Sequence, residues 1–519
     1  RCDIRIKHSS CEERCLAKTM ANAVLTLTLS FLLLVLGVLL TLLFVVLCRT
    51  CAAVRRCRSR RPGRRRVAFF HPYCNAGGGG ERVLWCAIRA LQEMDATADV
   101  FVYTGDAATG AAILAKAQSR FGFALPRPIE FVFLRHRWAV EASTYPRLTM
   151  LGQSAGSLLL GAEALLRLAP DAFFDTMGYA FTMPIFRFLG GARVGCYVHY
   201  PTISTNMIER VATRTEDYNN AGAISRSVSL SLLKVHLYYR PFAFVYGLAG
   251  RCAHVVAVNS TWTQGHVAHM WGRRVGVKGP TVIFPPCAVE HFVSAPLRGR
   301  TRKRWLSPPR ASAAPTAVKG HLLVSVAQLR PEKNHALQIR AFAALLRECE
   351  ESGDFAGVDD CALVLIGSCR TELAFGDVAR LDALRELTRS LGIEERVVFE
   401  VNVPFDRLCA TLARATVGLH SMRDEHFGIS VVELMAAGTV TIAHDSAGPK
   451  LDIVTPFEGG RTGFLESTEE GFAAAMKSAL VMSAAERLAL QERARRSVES
   501  RFSEEIFDDA IKRFLVDLL

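Results

Sequence analysis

Val417-Gly-Leu-His420 leads, across a short gap, into Glu425-His-Phe-Gly-Ile-Ser-Val-Val-Glu433. The first stretch is apolar and strand-like, and the second sets Gly428 just ahead of an apolar run with helical spacing. A helix that begins at the carboxyl end of a strand is the building unit of a parallel α/β sheet. Glu425 precedes the helix and can face a cleft. The amides of Phe427, Gly428 and Ile429 fall near the helix N-terminus, where unpaired N–H groups favour oxyanions. Gly428 lets a ligand approach the backbone closely. Glu433, on the first turns of the helix, can accept two hydroxyl hydrogen bonds, as from a ribose. Two glutamates at this spacing also fit a solvated or helix-capping pair, so the surrounding sequence has to decide.

On both sides the same alternation repeats. Strands are predicted at 322–326, 362–366, 397–400, 417–420 and 440–444, with helices at 334–349, 378–391, 405–414 and 428–437. Ahead of them, 286–319 is rich in Pro, Arg, Ser and Ala and reads as a linker or insertion. An earlier series places strands at 67–70, 100–103, 129–134, 172–174, 194–199 and 254–258, a loop at 71–80 and a helix at 81–93. The expectation is an α/β protein in which two Rossmann-like domains face a central cleft, with ligands outside the carboxyl ends of the strands. The domain map is 1–18 tail, 19–48 transmembrane anchor, 49–66 basic segment, 67–290 first domain, 291–319 linker, 320–483 second domain and 484–519 C-terminal helices. Within the first domain, 228–249 is mostly apolar and aromatic, interrupted by Lys234, His236 and Arg240. It fits a core helix pair or an interfacial segment whose basic residues snorkel.

Four further stretches carry chemistry in this frame. Ser325-Val-Ala-Gln-Leu-Arg-Pro-Glu-Lys-Asn334 ends a strand in a loop with two cations, Arg330 and Lys333. A Lys there can neutralise a diphosphate as a compact point charge. Asn75-Ala-Gly-Gly-Gly-Gly-Glu81 lies between strand and helix. Gly77, Gly78, Gly79 and Gly80 can present N–H groups to an anion or a sugar oxygen, although the run is neither G-x-G-x-x-G nor a P-loop. Tyr197-Val-His-Tyr-Pro201 puts His199 at a strand's end, where it can bond a sugar hydroxyl. Ala443-His-Asp-Ser-Ala-Gly-Pro-Lys450 suits the second wall of a phosphate site, and turn chemistry alone also accounts for it. No Asp-x-Asp occurs, so no divalent-metal clamp is expected.

Charge and cysteine usage narrow the class. The formal net charge is +14. Much of the excess lies in nine arginines between Arg49 and Arg66 and in the basic run 298–310, so no nucleic-acid groove is expected. The 15 cysteines follow no repeating frame and read as free thiols of a reducing compartment. Residues 19–48 contain no charge, a run longer than the ~20 apolar residues that cross a bilayer. The arginines that follow it place the large C-terminal part in the cytosol by the positive-inside rule.

The paired glutamates, the Arg330-Pro-Glu-Lys333 loop and the two α/β halves resemble the retaining GT-B glycosyltransferases of family 4. The stretches 71–85, 197–204, 326–335 and 448–453 are similar to the α-1,2-mannosyltransferases of dolichol-linked oligosaccharide assembly, over roughly 20–519. That resemblance implies GDP-mannose as donor, a dolichol-diphosphate chitobiose bearing three mannoses as acceptor, and two α-1,2-mannoses added with retention. It implies the endoplasmic reticulum membrane and other dolichol-pathway mannosyltransferases as partners, and no metal cofactor. It implies that Glu425 contacts the donor mannose, Glu433 the ribose, Lys333 the diphosphate, that His199 sits near the mannose, and that Gly77–Gly80 lies at the reacting centre. Many relatives carry Arg where this chain has Gln328, which raises Arg330 as the replacement cation. Both a front-face substitution and a double displacement through Glu425 are compatible with these residues. A family-4 enzyme with another sugar nucleotide or lipid acceptor is the alternative.

Overall fold

The computed structural model describes Ala52 and residues 64–519, apart from 123, 214–227, 273–277, 294–296, 298–304, 307–316, 319, 354–357, 359–360 and 370–375. The apolar run 19–48 and most of the basic segment 49–66 lie outside the described residues. Among those that are described, no helix is long and apolar enough to cross a membrane.

The first lobe is a seven-stranded parallel sheet built from β1 (Arg66–Phe70), β2 (Asp99–Thr104), β3 (Glu130–Phe133), β4 (Ala172–Asp175), β5 (Arg193–Val198), β6 (Val255–Val258) and β7 (Thr281–Val282), in the order 3-2-1-4-5-6-7. Its central strands are buried along their whole length, as strands covered on both faces must be. A two-stranded ribbon, β8 (Trp305–Leu306) and β9 (Ala317–Val318), follows. The second lobe is a six-stranded parallel sheet of β10 (Leu322–Val326), β11 (Ala362–Gly367), β12 (Val397–Val401), β13 (Val417–His420), β14 (Val440–His444) and β15 (Phe464–Glu466), in the order 12-11-10-13-14-15. Strand β15 was not foreseen. It has only three residues, too few for a periodic signal.

Both orders reverse at one place, between β1 and β4 in the first lobe and between β10 and β13 in the second. Crevices at such reversals are where open α/β sheets take their ligands. The loops after these four strands contain His71, Thr176, Lys333 and Glu425.

The lobes share their ends. Cys287, Val289 and Phe292 already lie in the core of the second lobe. The helix Ala484–Phe502 packs there too, through Ala494, Val498 and Phe502. The last helix, Glu504–Leu518, crosses back and buries Phe507, Ile511, Phe514, Leu515 and Leu518 in the core of the first lobe. Each fully buried side chain of this size contributes about 1.5–3 kcal/mol. Arg89 pairs with Glu504 at 3.2 Å and Asp508 at 3.3 Å, which fixes the crossing.

The segment 228–249 is one helix, not a pair. Val228–Leu233, a π-turn Lys234–Tyr239 and Arg240–Gly250 run on without a break. Val235, Tyr239, Phe242, Tyr246 and Ala249 recur every three or four residues and face the core. The opposite face leaves Leu237 71% and Phe244 66% exposed.

Candidate active site

In the second lobe, Lys333 ends a short 3₁₀ turn, Pro331–Lys333, just after β10. The Ser421 hydroxyl stands 2.9 Å from the carbonyls of both Lys333 and Asn334, and Gln338 donates to it at 2.8 Å. Lys333 Nζ then reaches Glu425 Oε2 at 2.5 Å, and His420 Nε2 lies 3.1 Å from the same oxygen. Burial alone would raise the Glu425 carboxyl. The Lys333 ammonium and the His420 hydrogen bond override it and hold Glu425 well below the usual carboxylate range.

Gly428 begins the helix Ile429–Ala436 at φ +113°, a left-handed conformation that only glycine adopts cheaply. A methyl group on it would also meet Glu425 Cγ at 3.4 Å. Phe427 is buried against Phe284 and Phe502, with ring centroids 5.6 and 5.3 Å away. Its side chain therefore anchors the loop, and only its backbone is left for a ligand. Glu433 is half-buried on the same helix. Burial pushes its carboxyl up to about 7, against the pull of Arg82 and Arg120 from the first lobe. Arg330 is 40% exposed and sits 3.9 Å from Glu332. Lys450 pairs with Asp445 at 3.1 Å, also near the surface.

In the first lobe, the Gly77–Gly80 run turns β1 into the helix Gly79–Met94. Gly77 has φ +81°. The Gly78 amide donates to Glu81 Oε2 at 2.6 Å, which caps the helix from its own first turn. His199 follows β5, and its Nε2–H donates to the Thr176 carbonyl at 3.1 Å. Burial, reinforced by His71, lowers the His199 pKa to about 4, so the ring is neutral at physiological pH. With Nε2 donating, Nδ1 remains as an acceptor for a hydroxyl.

The two halves meet at these residues. A methyl group on Gly79 would lie 2.5 Å from Ile429 Cδ1 of the second lobe. The His426 ring reaches across the gap to Tyr200 and Trp262, at centroid distances of 4.0 and 5.5 Å. Asp424 forms an ion pair with Arg210, and Asp452 accepts the Thr261 amide at 3.0 Å. The glycine run, His199 and the Glu425 loop therefore border one inter-lobe gap, with Glu433 on the helix that opens from it.

Sequence reading missed several groups of this gap. His420 and His426 lie beside the recognised glutamate, but a lone histidine carries no spacing signal. Arg82 and Arg120 sit on helices of the other lobe, so only the folded arrangement brings their charge to Glu433. Among the described residues there is no group of three or more His, Cys, Asp or Glu able to hold a metal ion, and every cysteine is free.

Two facing Rossmann-like sheets, each with its loops at the strand-order reversal, define the class: this is a GT-B glycosyltransferase. Solved structures share the fold. The Anabaena protein HepE bound to UDP and glucose superposes with TM-score 0.55 at 15% identity, covering 87% of this chain and 99% of its own. Sucrose-phosphate synthase from Thermosynechococcus elongatus gives 0.58 at 16%, covering 88% and 99%. Residues 64–271 match the family "ALG11 mannosyltransferase N-terminus" and 312–497 match "Glycosyl transferases group 1". The GDP-Man:Man(3)GlcNAc(2)-PP-Dol alpha-1,2-mannosyltransferase of Mus musculus is 52% identical, over 86% of this chain and 85% of its own. That of Homo sapiens is 51% identical over 85% of each. The chain belongs to this family of mannosyltransferases.

Proposed function

We infer that this chain transfers mannose from GDP-mannose, with retention, to dolichol-diphosphate-linked Man(3)GlcNAc(2), adding the fourth and fifth mannoses in α-1,2 linkage. The single observation that carries the reading is the Lys333–Glu425 pair at the mouth of the inter-lobe gap, in a chain half identical to enzymes that bear this name. Lys333 neutralises the leaving diphosphate as the C1–O bond breaks. Glu425, held ionised, accepts mannose hydroxyls and offsets positive charge at C1. Glu433 accepts the ribose hydroxyls, and His199 takes a sugar hydroxyl on Nδ1. The acceptor oxygen forms its bond to C1 on the face that the phosphate leaves, and its proton passes to the departing phosphate oxygen of GDP. No side chain has to act as nucleophile, and no metal is needed, because lysine, backbone amides and neighbouring cations carry the charge.

The acceptor is a lipid, and the proposed seat is the cytosolic face of the endoplasmic reticulum. The apolar run 19–48 supports an anchor there. The outward face of the helix through 228–250, with Leu237 and Phe244 uncovered and Lys234 and Arg240 beside them, suits contact with an anionic bilayer. Incubating the full chain with GDP-mannose and a dolichol-linked trimannosyl acceptor should yield glycolipid one and two hexoses heavier by mass spectrometry. Turnover with another sugar nucleotide but none with GDP-mannose would reject the reading.

A further inference from the structure

The glycine run of the first lobe borders the inter-lobe gap, where Gly79 packs against Ile429 of the second lobe. Four glycines in succession, Gly77–Gly80, have little conformational preference of their own, so a fixed shape has to be imposed by their neighbours. The residues that do so form a buried chain of contacts. Thr176 follows β4 and donates its hydroxyl to the Phe70 carbonyl at 3.3 Å, which leaves Thr176 Oγ1 as an acceptor. His71 Nδ1 lies 2.8 Å from that oxygen, so it carries a proton and donates it. The other ring nitrogen, Nε2, is fully buried and forms no hydrogen bond within the described residues. It stands 3.6 Å from Glu81 Oε1. The second oxygen of Glu81 accepts the Gly78 amide at 2.6 Å. Gly80 packs over the same cluster: a methyl group on it would sit 3.6 Å from His199 Nε2 and 4.0 Å from His71 Cε1.

We propose that His71 and Glu81 are positioning residues that form a buried strut from the floor of the sheet through Thr176 to the Gly78 amide, and so set the shape in which the glycine run meets the donor sugar. The strut touches no substrate. Its effect reaches the reacting centre through the backbone of Gly78–Gly80 and, through the Thr176 carbonyl, through His199. The pair thus aligns both first-lobe contributions to the site, with His71, Thr176 and His199 on strand ends that the 1-4-5 order brings side by side.

This inference rests on the mannosyltransferase reading for its kinetic arm only, so the test has two arms. Hydrogen exchange of the peptide spanning Gly77–Gly80 in the full chain reads the strut without any turnover. Glu81→Ala should speed that exchange at least tenfold, and His71→Ala should do the same. The double variant should be no faster than either single one. Glu81→Gln can still accept the Gly78 amide and can donate its NH2 to His71 Nε2, so it should restore most of the protection. In the kinetic arm, Glu81→Ala should lower kcat about 100-fold with KM for GDP-mannose changed less than threefold, and Glu81→Gln should recover at least tenfold of it. If Glu81→Ala fails to fold, Thr176→Val removes the acceptor for His71 at constant shape and should loosen the same peptide. Unchanged exchange in the alanine or valine variants, or a Gln variant no better than Ala, overturns the proposal. A wild-type chain inactive with GDP-mannose but with the expected exchange pattern would reject the substrate reading and leave the strut standing.

Discussion

The two lobes solve the same problem in opposite electrostatic styles. Each brings functional groups to the crevice where its strand order reverses, and each starts a helix there behind a glycine. In the second lobe the groups are charged: Lys333 and Glu425 sit 2.5 Å apart, and His420 supports the carboxylate. In the first lobe the group proposed to face the sugar is neutral, since burial keeps His199 uncharged, and its partner is a backbone carbonyl. The contrast matches the two jobs in glycosyl transfer. A diphosphate that accumulates negative charge needs a fixed cation. A sugar and an incoming hydroxyl need oriented, uncharged contacts that do not compete for the phosphate.

The largest expected effect tests the charged side. Lys333→Ala should lower kcat by about 10²–10³-fold, the usual loss when one preorganised stabiliser of developing charge is removed, with a smaller change in KM for GDP-mannose. A turnover near wild type in single-turnover kinetics would end the diphosphate role. The same variant has a signature in stability. The Glu425 carboxyl is depressed in the folded state, so it stabilises the fold above the unfolded value near 4.5, and that contribution disappears as pH falls toward the folded value. Without Lys333 the folded value climbs. The acid-unfolding midpoint, followed by circular dichroism, should therefore move to higher pH.

The neutral side should be less costly to disturb. On the proposed role, His199→Ala removes one hydrogen bond to the substrate and no charge, so kcat/KM should fall about 10–100-fold. Because burial lowers the His199 pKa to about 4, the wild-type rate should show no ionisation of this ring between pH 6 and 8. An inflection in that window that vanishes in His199→Gln would mean that the first lobe works through charge after all.

Glu433 lies where the two styles meet, a second-lobe carboxyl acted on by first-lobe arginines. Its pKa is pushed up to about 7 by burial, so the resting enzyme keeps the proton below that pH. Two ribose hydroxyls can donate fully only to the ionised form. KM for GDP-mannose should therefore rise as pH drops below about 7, approaching tenfold per unit, and Glu433→Gln should flatten the profile. The sign for the empty fold is the reverse. A carboxyl raised in the folded state binds its proton more tightly there than in the unfolded chain, so stability declines as pH rises from about 4.5 to about 7.

How much of this could be read beforehand follows from where the groups lie along the chain. The second-lobe site was legible because its parts sit in two local stretches, 325–334 and 417–433, each a strand–loop–helix with its charge inside it. Both strands, Leu322–Val326 and Val417–His420, were placed to the residue. The first-lobe site was legible only in fragments. His71, Thr176 and His199 end three different strands, and sequence does not say that those strands are neighbours. Glu81 was assigned no role, because only the folded structure shows its carboxylate beside the buried His71 ring. The helix across 228–250 kept two readings open for a related reason: its buried and exposed faces are both apolar, so periodicity in polarity could not choose between them.

The smallest effect concerns Arg330, the cation two residues beyond Gln328. If nearness in sequence were enough, Arg330→Ala would resemble Lys333→Ala. The structure argues otherwise. The Arg330 side chain is 40% exposed and its ion-pair partner is Glu332 at 3.9 Å, whereas Lys333 is 19% exposed and locked on Glu425. A solvent-screened cation of that kind is worth about 0–1 kcal/mol, so KM for GDP-mannose should rise no more than about fivefold while kcat stays level. Of the first-lobe arginines whose charge reaches Glu433, Arg82 is only 13% exposed, so Arg82→Ala should cost more than Arg330→Ala in the same assay. The opposite ranking would place all the cationic stabilisation in the second lobe and sharpen the division between the two lobes.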